Sequence, residues 1–165
     1  MNEITEETFM SVNDFISGLN GDQIIEFFTR LQEKQTVIHS YILMNFSPEA
    51  SDKSRMHANF IFTHLIRCYE YEYGEFPMID VETVKKFQDE KNKYLTLELK
   101  RNSRSKVING LRRKAGQREL LKFLDLFIEG DKETPSDFLP EEMSNMKVTF
   151  YLVVILLNEE MEKIL

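Results

Sequence analysis

Apolar residues in this chain return at intervals of three and four and nowhere settle into sustained alternation, which commits the sequence to helices. A helical period puts one apolar stripe on each segment, and each stripe needs another helix to cover it. With 165 residues, 42% of them apolar and 30% charged, there is material for one core and no room for a second domain. The expected architecture is all-α: a single-domain, mostly antiparallel helical bundle over 1–165, with about five long helices and one short N-terminal helix.

Start and stop signals divide the chain. A short helix over 6–18 is followed by Asn20-Gly21-Asp22-Gln23, which reads as a cap with Gln three residues after Asn, opening a long helix over about 22–46. Ile24, Phe28, Leu31, Ile38 and Ile42 mark its inner side. Ser47-Pro48-Glu49 has the pattern of a cap, a first-position proline and a first-turn acid, ahead of a helix that ends at Gly74. Asp80 caps the next helix, to about Lys100, with Ile79 and Val84 spaced as a hydrophobic staple. Ser103 caps a helix over 104–115 with Val107, Ile108, Leu111 and Ala115 inward. Gly116 breaks it, and 118–129 resumes before Gly130 and Pro135. The loop 130–139 is the one stretch expected to move. Pro140 starts the last helix, whose stripe is Met143, Met146, Phe150, Val153, Leu157 and Ile164, broadened by Leu152, Ile155 and Leu156. A helix apolar on most sides is either central to a bundle or half of a dimer interface, and the central reading is preferred.

Charge is segregated. Net charge is −7, yet Lys100, Arg101, Arg104, Lys106, Arg112, Arg113, Lys114 and Arg118 follow one another with no acid between them. Over 85–122 there are 13 Lys and Arg against 4 Asp and Glu, and the remaining residues carry 8 against 24. The plain reading is a solvated helix face, neutralised by acidic helices elsewhere. The sharper one is a docking surface that attracts an anionic partner which the net charge would repel. A backbone contact to nucleic acid needs only such cations. Sequence-specific reading needs more. Setting 103–129 as a helix-turn-helix with Gly116 at the turn puts Arg112 where a small residue should pack and Lys122 where an apolar anchor belongs. No aromatic residue lies between 100 and 118 to stack on bases.

His57, His64 and Cys68 form the second constellation, at i, i+7 and i+11, within about 40° of one another at ~100° per residue. Their stripe lies to one side of the apolar face Ile61, Phe62, Leu65, Ile66, Tyr69 and Tyr73, so they are expected at the rim of the core. His64 and Cys68 are one turn apart, as metal ligands can be. His57 is about 10.5 Å further along the axis, so a site would need help from His39 or a carboxylate. Locally hydrogen-bonded histidines and a buried, inert thiol are the default. Tyr71 faces away from Tyr69 and Tyr73 and is expected to be partly exposed.

The lone Cys68 forbids an intrachain disulfide and suits a reducing cytoplasm. The start MNEITEETF has no signal-peptide pattern, and the most apolar run, Val148 to Leu157, is too short to span a membrane. Thirteen Phe and eight Met suit a bulky core or an apolar pocket. No catalytic residue, nucleotide fingerprint or cofactor motif is present. The function these residues support is that of a non-enzymatic binding or regulatory protein. Lys100, Arg101, Arg104, Arg112, Arg113 and Lys114 would face an anionic partner, either nucleic-acid backbone or an acidic protein. Two alternatives are a structural module that homodimerises through the C-terminal helix and a metal-dependent enzyme using His57, His64 or Cys68.

Overall fold

Two helices apolar on most sides, α4 (Asp52–Tyr73) and α8 (Pro140–Glu162), form the centre of the molecule. The computed structural model describes residues 2–45 and 51–165, and Ser47-Pro48-Glu49 lies outside them. In α8 every residue from Thr149 to Leu157 is buried, and in α4 every residue from Ile61 to Ile66. Runs longer than a full turn must be covered on all sides. The cover is α1 (Glu6–Ser17), α2 (Gly21–Lys34), α3 (Thr36–Met44), α5 (Val81–Arg101), α6 (Arg104–Ala115) and α7 (Arg118–Glu129). α1, α2 and α3 pack on α4, while α3, α6 and α7 pack on α8. One continuous apolar cluster runs through the whole, from Ile4 to Met161. Among the described residues there is no strand, and no helix is long and apolar enough to cross a membrane.

The central reading of α8 is the one the structure shows. Its apolar sides are used up within one chain, so the dimer reading loses the face it relied on. Ile164, expected on the stripe, lies beyond the helix end and is exposed with Leu165.

The eight helices among the described residues exceed the expected six by two: 118–129 is a helix of its own after Gly116, and 22–46 is not one helix. Gln35 leaves helical geometry at φ −123° and ψ 42°. Its buried side chain donates Nε2–H to the carbonyls of Phe76 (3.4 Å) and Pro77 (3.0 Å) and accepts from the Ile79 amide (3.5 Å). Those are backbone groups of the connection between α4 and α5, in which Phe76 and Ile79 are buried, and pairing them offsets the loss of one helical residue. Thr36 marks the same break by donating Oγ1–H to the carbonyls of Gln32 and Glu33.

The local signals elsewhere are realised. Asn20 and Gln23 exchange side-chain bonds at 3.0 Å in each direction, and Asp80 accepts from the Thr83 amide at 2.7 Å. Ser103 sits at its cap position without a side-chain bond. The loop 130–139 is pinned at its neck. Ser136 donates its amide to Glu129 at 2.7 Å, and Asp131 accepts from the Glu133 and Thr134 amides at 2.8 and 2.6 Å.

Candidate functional site

The basic segment spans the end of α5, all of α6 and the first residue of α7. Lys100 and Arg101 occupy the last turn of α5, and Arg112, Arg113 and Lys114 the last turn of α6, where cations complement the unpaired carbonyls of a helix end. Val107, Leu111 and Ala115 hold α6 on the core. Lys106 and Arg113, seven apart and so on one stripe, face solvent. Gly116 ends the helix in the left-handed region at φ +70°, which turns the chain so that Arg118 opens α7 beside Arg112 and Arg113.

A polar hub behind this turn fixes it. Asn158 on α8 donates Nδ2–H to the Ala115 carbonyl at 2.7 Å and accepts from the Tyr69 hydroxyl at 2.6 Å. Gln117, also buried, accepts from the Ile4 amide at 2.7 Å and donates to Asn158 at 3.5 Å. α8, α4 and the N-terminal segment are thereby tied to the residues on either side of Gly116.

The eight cations meet different fates. Arg112 is the one that folds back: its Nη1 donates to Asp125 on α7 and to the Tyr151 hydroxyl on α8 at 3.1 Å. Asp125 also accepts from Tyr151 and faces Lys147 at 3.8 Å, and Lys147 reaches Glu129 as well. Two cations and two carboxylates balance in this cluster. Burial and the Asp125 carboxylate push the Tyr151 phenol far above its ordinary value, so it remains a neutral donor. Arg104 donates to Asn145, a neutral group, and the Lys114 ammonium lies 3.5 Å from the centroid of the Tyr94 ring. Lys100, Arg101, Lys106, Arg113 and Arg118 are exposed, and like Arg104 and Lys114 they have no carboxylate partner among the described residues. Seven of the eight are therefore not neutralised within the described fold. Lys85, Lys86 and Lys93 add further exposed cations along α5.

No protein-family model matches the chain, and no curated protein or solved structure matches it at a significant level. The functional reading therefore rests on the geometry.

The histidines and the cysteine are placed differently from expectation. His64 and Cys68 are not at the rim but inside, because α4 is covered on all sides at their level. The His64 ring lies 4.1 Å from Phe60, 5.2 Å from Phe127 and 6.1 Å from Phe9 between centroids. Its Nδ1–H donates to the Phe60 carbonyl at 3.0 Å, and its buried Nε2 has no partner among the described residues. Burial lowers its pKa. Burial pushes the Cys68 thiol up to about 12, far from a thiolate ligand or nucleophile. His57 bonds the Phe127 carbonyl, and His39 bonds Asn59 at 2.7 Å. Among the described residues no three His, Cys, Asp or Glu side chains come together as a group able to hold a metal ion.

Arg118, Gln117 and Asn158 carry more of the site than sequence reasoning gave them. The spacing of Gly116 and Arg118 was a usable signal for the first, since a glycine stop reverses the chain and brings the next cation alongside the last turn. Asn158 and Gln117 had none, because their roles depend on which helices meet.

Proposed function

We propose that this chain is a non-enzymatic binding protein that docks on the backbone of nucleic acid through the surface formed by the end of α5, α6 and the start of α7. The observation that carries the reading is that Lys100, Arg101, Arg104, Lys106, Arg113, Lys114 and Arg118 have no carboxylate partner among the described residues, although the protein holds more acids than bases. A fold that needed these charges only for solubility had ample acid with which to pair them. Point cations spread over three elements suit repeated phosphates, and clustered charge can attract a polyanion that the net charge would repel. The segment has neither a recognition-helix pattern nor an aromatic platform, so contact is largely independent of sequence. Arg112, anchored to Asp125 and Tyr151, leaves the set of backbone contacts, and Lys106 and Arg118 join it.

The test is fluorescence anisotropy with short duplex DNA and RNA at low and moderate salt. Binding that weakens steeply with salt supports the reading, and no binding at low salt rejects it.

One observation favours an acidic protein instead. Leu95, Leu99, Val107, Ile108 and Val148, rimmed by Arg104, line a cleft of about 240 Å³, and Leu99 is about half exposed in it. An acidic amphipathic helix would fit that cleft with its carboxylates on Lys100, Arg101 and Arg104. Competition between such a peptide and nucleic acid separates the two readings.

A further inference from the structure

Beside the Gly116 turn lies a cavity of about 290 Å³ whose lining is Arg112, Arg113, Gly116, Arg118 and Leu121. Three arginines line it, and no carboxylate among the described residues does. Arg112 is anchored, since both of its bonds to protein use Nη1, leaving Nη2 and Nε without partners among the described residues. Arg113 and Arg118 are exposed and unpaired with any carboxylate of the described residues. Gly116 supplies bare backbone: a Cβ there would meet no atom within 4 Å, so the floor is open, and its left-handed geometry disfavours any residue that would narrow it. Arg118 is the first residue of α7, whose positive end adds to the field.

We infer that this cavity takes a phosphate monoester, presented as the phosphorylated end of a nucleic-acid strand. The inference rests on the nucleic-acid reading above and specifies a contact that the reading lacks. Guanidinium forks match phosphate oxygens in pairs, and the two that no carboxylate balances, Arg113 and Arg118, exceed what one singly charged backbone phosphodiester can balance. A terminal phosphate carries roughly 1.5 to 2 negative charges at neutral pH and offers three oxygens. It also has only one substituent, so it can turn all three of its free oxygens toward the arginines. Leu121 is the one apolar side chain of the lining.

The experiment titrates the full chain against one short RNA sequence, internally labelled, bearing a 5′-phosphate, a 3′-phosphate or neither. A phosphate at one of the two ends is expected to tighten binding about tenfold, the effect of one or two charge-assisted bonds. Arg118→Gln, at an exposed position without a carboxylate partner, should erase that gain while weakening the unphosphorylated strand only by the few-fold of one lost backbone contact. Equal affinity for all three strands overturns the inference and leaves the electrostatic surface standing. Absence of binding by every strand at low salt overturns both. Full retention of the gain in Arg118→Gln removes the assignment to this cavity. A phosphoserine peptide of equal length that outcompetes the phosphorylated strand removes the assignment to nucleic acid.

Discussion

Asn158 on α8 donates to the carbonyl of Ala115 at 2.7 Å, so the last carbonyl of the basic helix is closed by a residue 43 positions further along the chain. The same side chain takes the Tyr69 hydroxyl at 2.6 Å. The expected outcome of Asn158→Leu is therefore a loss of about 1–2 kcal/mol, since the buried Tyr69 hydroxyl keeps only its 3.5 Å contact with the Val154 carbonyl and the Ala115 carbonyl keeps only the Gln117 amide at 2.8 Å. Urea denaturation measures it. A loss near zero would mean that water replaces the amide and that the hub does not fix the turn.

Arg112 and Arg113 are neighbours with opposite roles, and substitution should separate them. Arg112→Gln breaks the bonds to Asp125 and Tyr151 and should cost about 1–2 kcal/mol of stability, discounted because the site is partly open to solvent. Arg113→Gln should leave stability within about 0.5 kcal/mol and weaken binding to an anionic strand several-fold. The pair of variants is read by thermal denaturation and by anisotropy. The reverse pattern would show that Arg112 and not Arg113 faces the partner.

Gly130 and Gly116 both have positive φ, at +74° and +70°, but their surroundings differ. A Cβ at Gly130 would lie 2.4 Å from the Thr134 carbonyl oxygen and 2.5 Å from the Ser136 nitrogen, whereas one at Gly116 meets open space. Gly130→Ala should destabilise by about 2 kcal/mol or more, because backbone cannot yield as a side-chain tip can, and Gly116→Ala by about 1 kcal/mol. Equal costs in urea denaturation would mean that the 130–139 neck relaxes freely.

His64 predicts an acid limb of stability. Its folded pKa is lowered by burial among phenylalanines, so as pH falls below about 6.5 the unfolded chain takes up a proton that the folded chain refuses. Stability should fall with acidification from that point, at up to about 1.4 kcal/mol per pH unit, and level off once pH passes the lowered value. Above about 6.5 the residue contributes no slope. His64→Leu should flatten this limb in urea midpoints recorded between about pH 5 and 7.5. An unchanged slope would locate the titration elsewhere.

How much of this is legible in the sequence follows the range of the interactions. Caps and stops such as Asn20 with Gln23, Asp80, Gly116 and Gly130 act within a few residues, and spacing alone reveals them. Gln35 is hidden, because its reason for leaving the helix is a connection 41 to 44 residues away. The rim placement of His64 and Cys68 fails for a related cause: a wheel gives directions around one helix and cannot say that α4 is covered on all of them. The basic run itself is plain, but its division into one inward-tied arginine and seven cations without acids depends on where Asp125 and Tyr151 fall.

The account stands on those unneutralised cations, and the salt dependence of binding interrogates them most directly. Anisotropy titrations of a short DNA duplex over a range of salt, for the wild type and for Lys106→Gln/Arg113→Gln/Arg118→Gln, give the slope of log affinity against log salt in each case. If these side chains contact phosphates, the variant's slope should be shallower by about 2 to 3 units, near one released counterion for each charge removed. An unchanged slope, or wild-type binding that salt does not weaken, would contradict it.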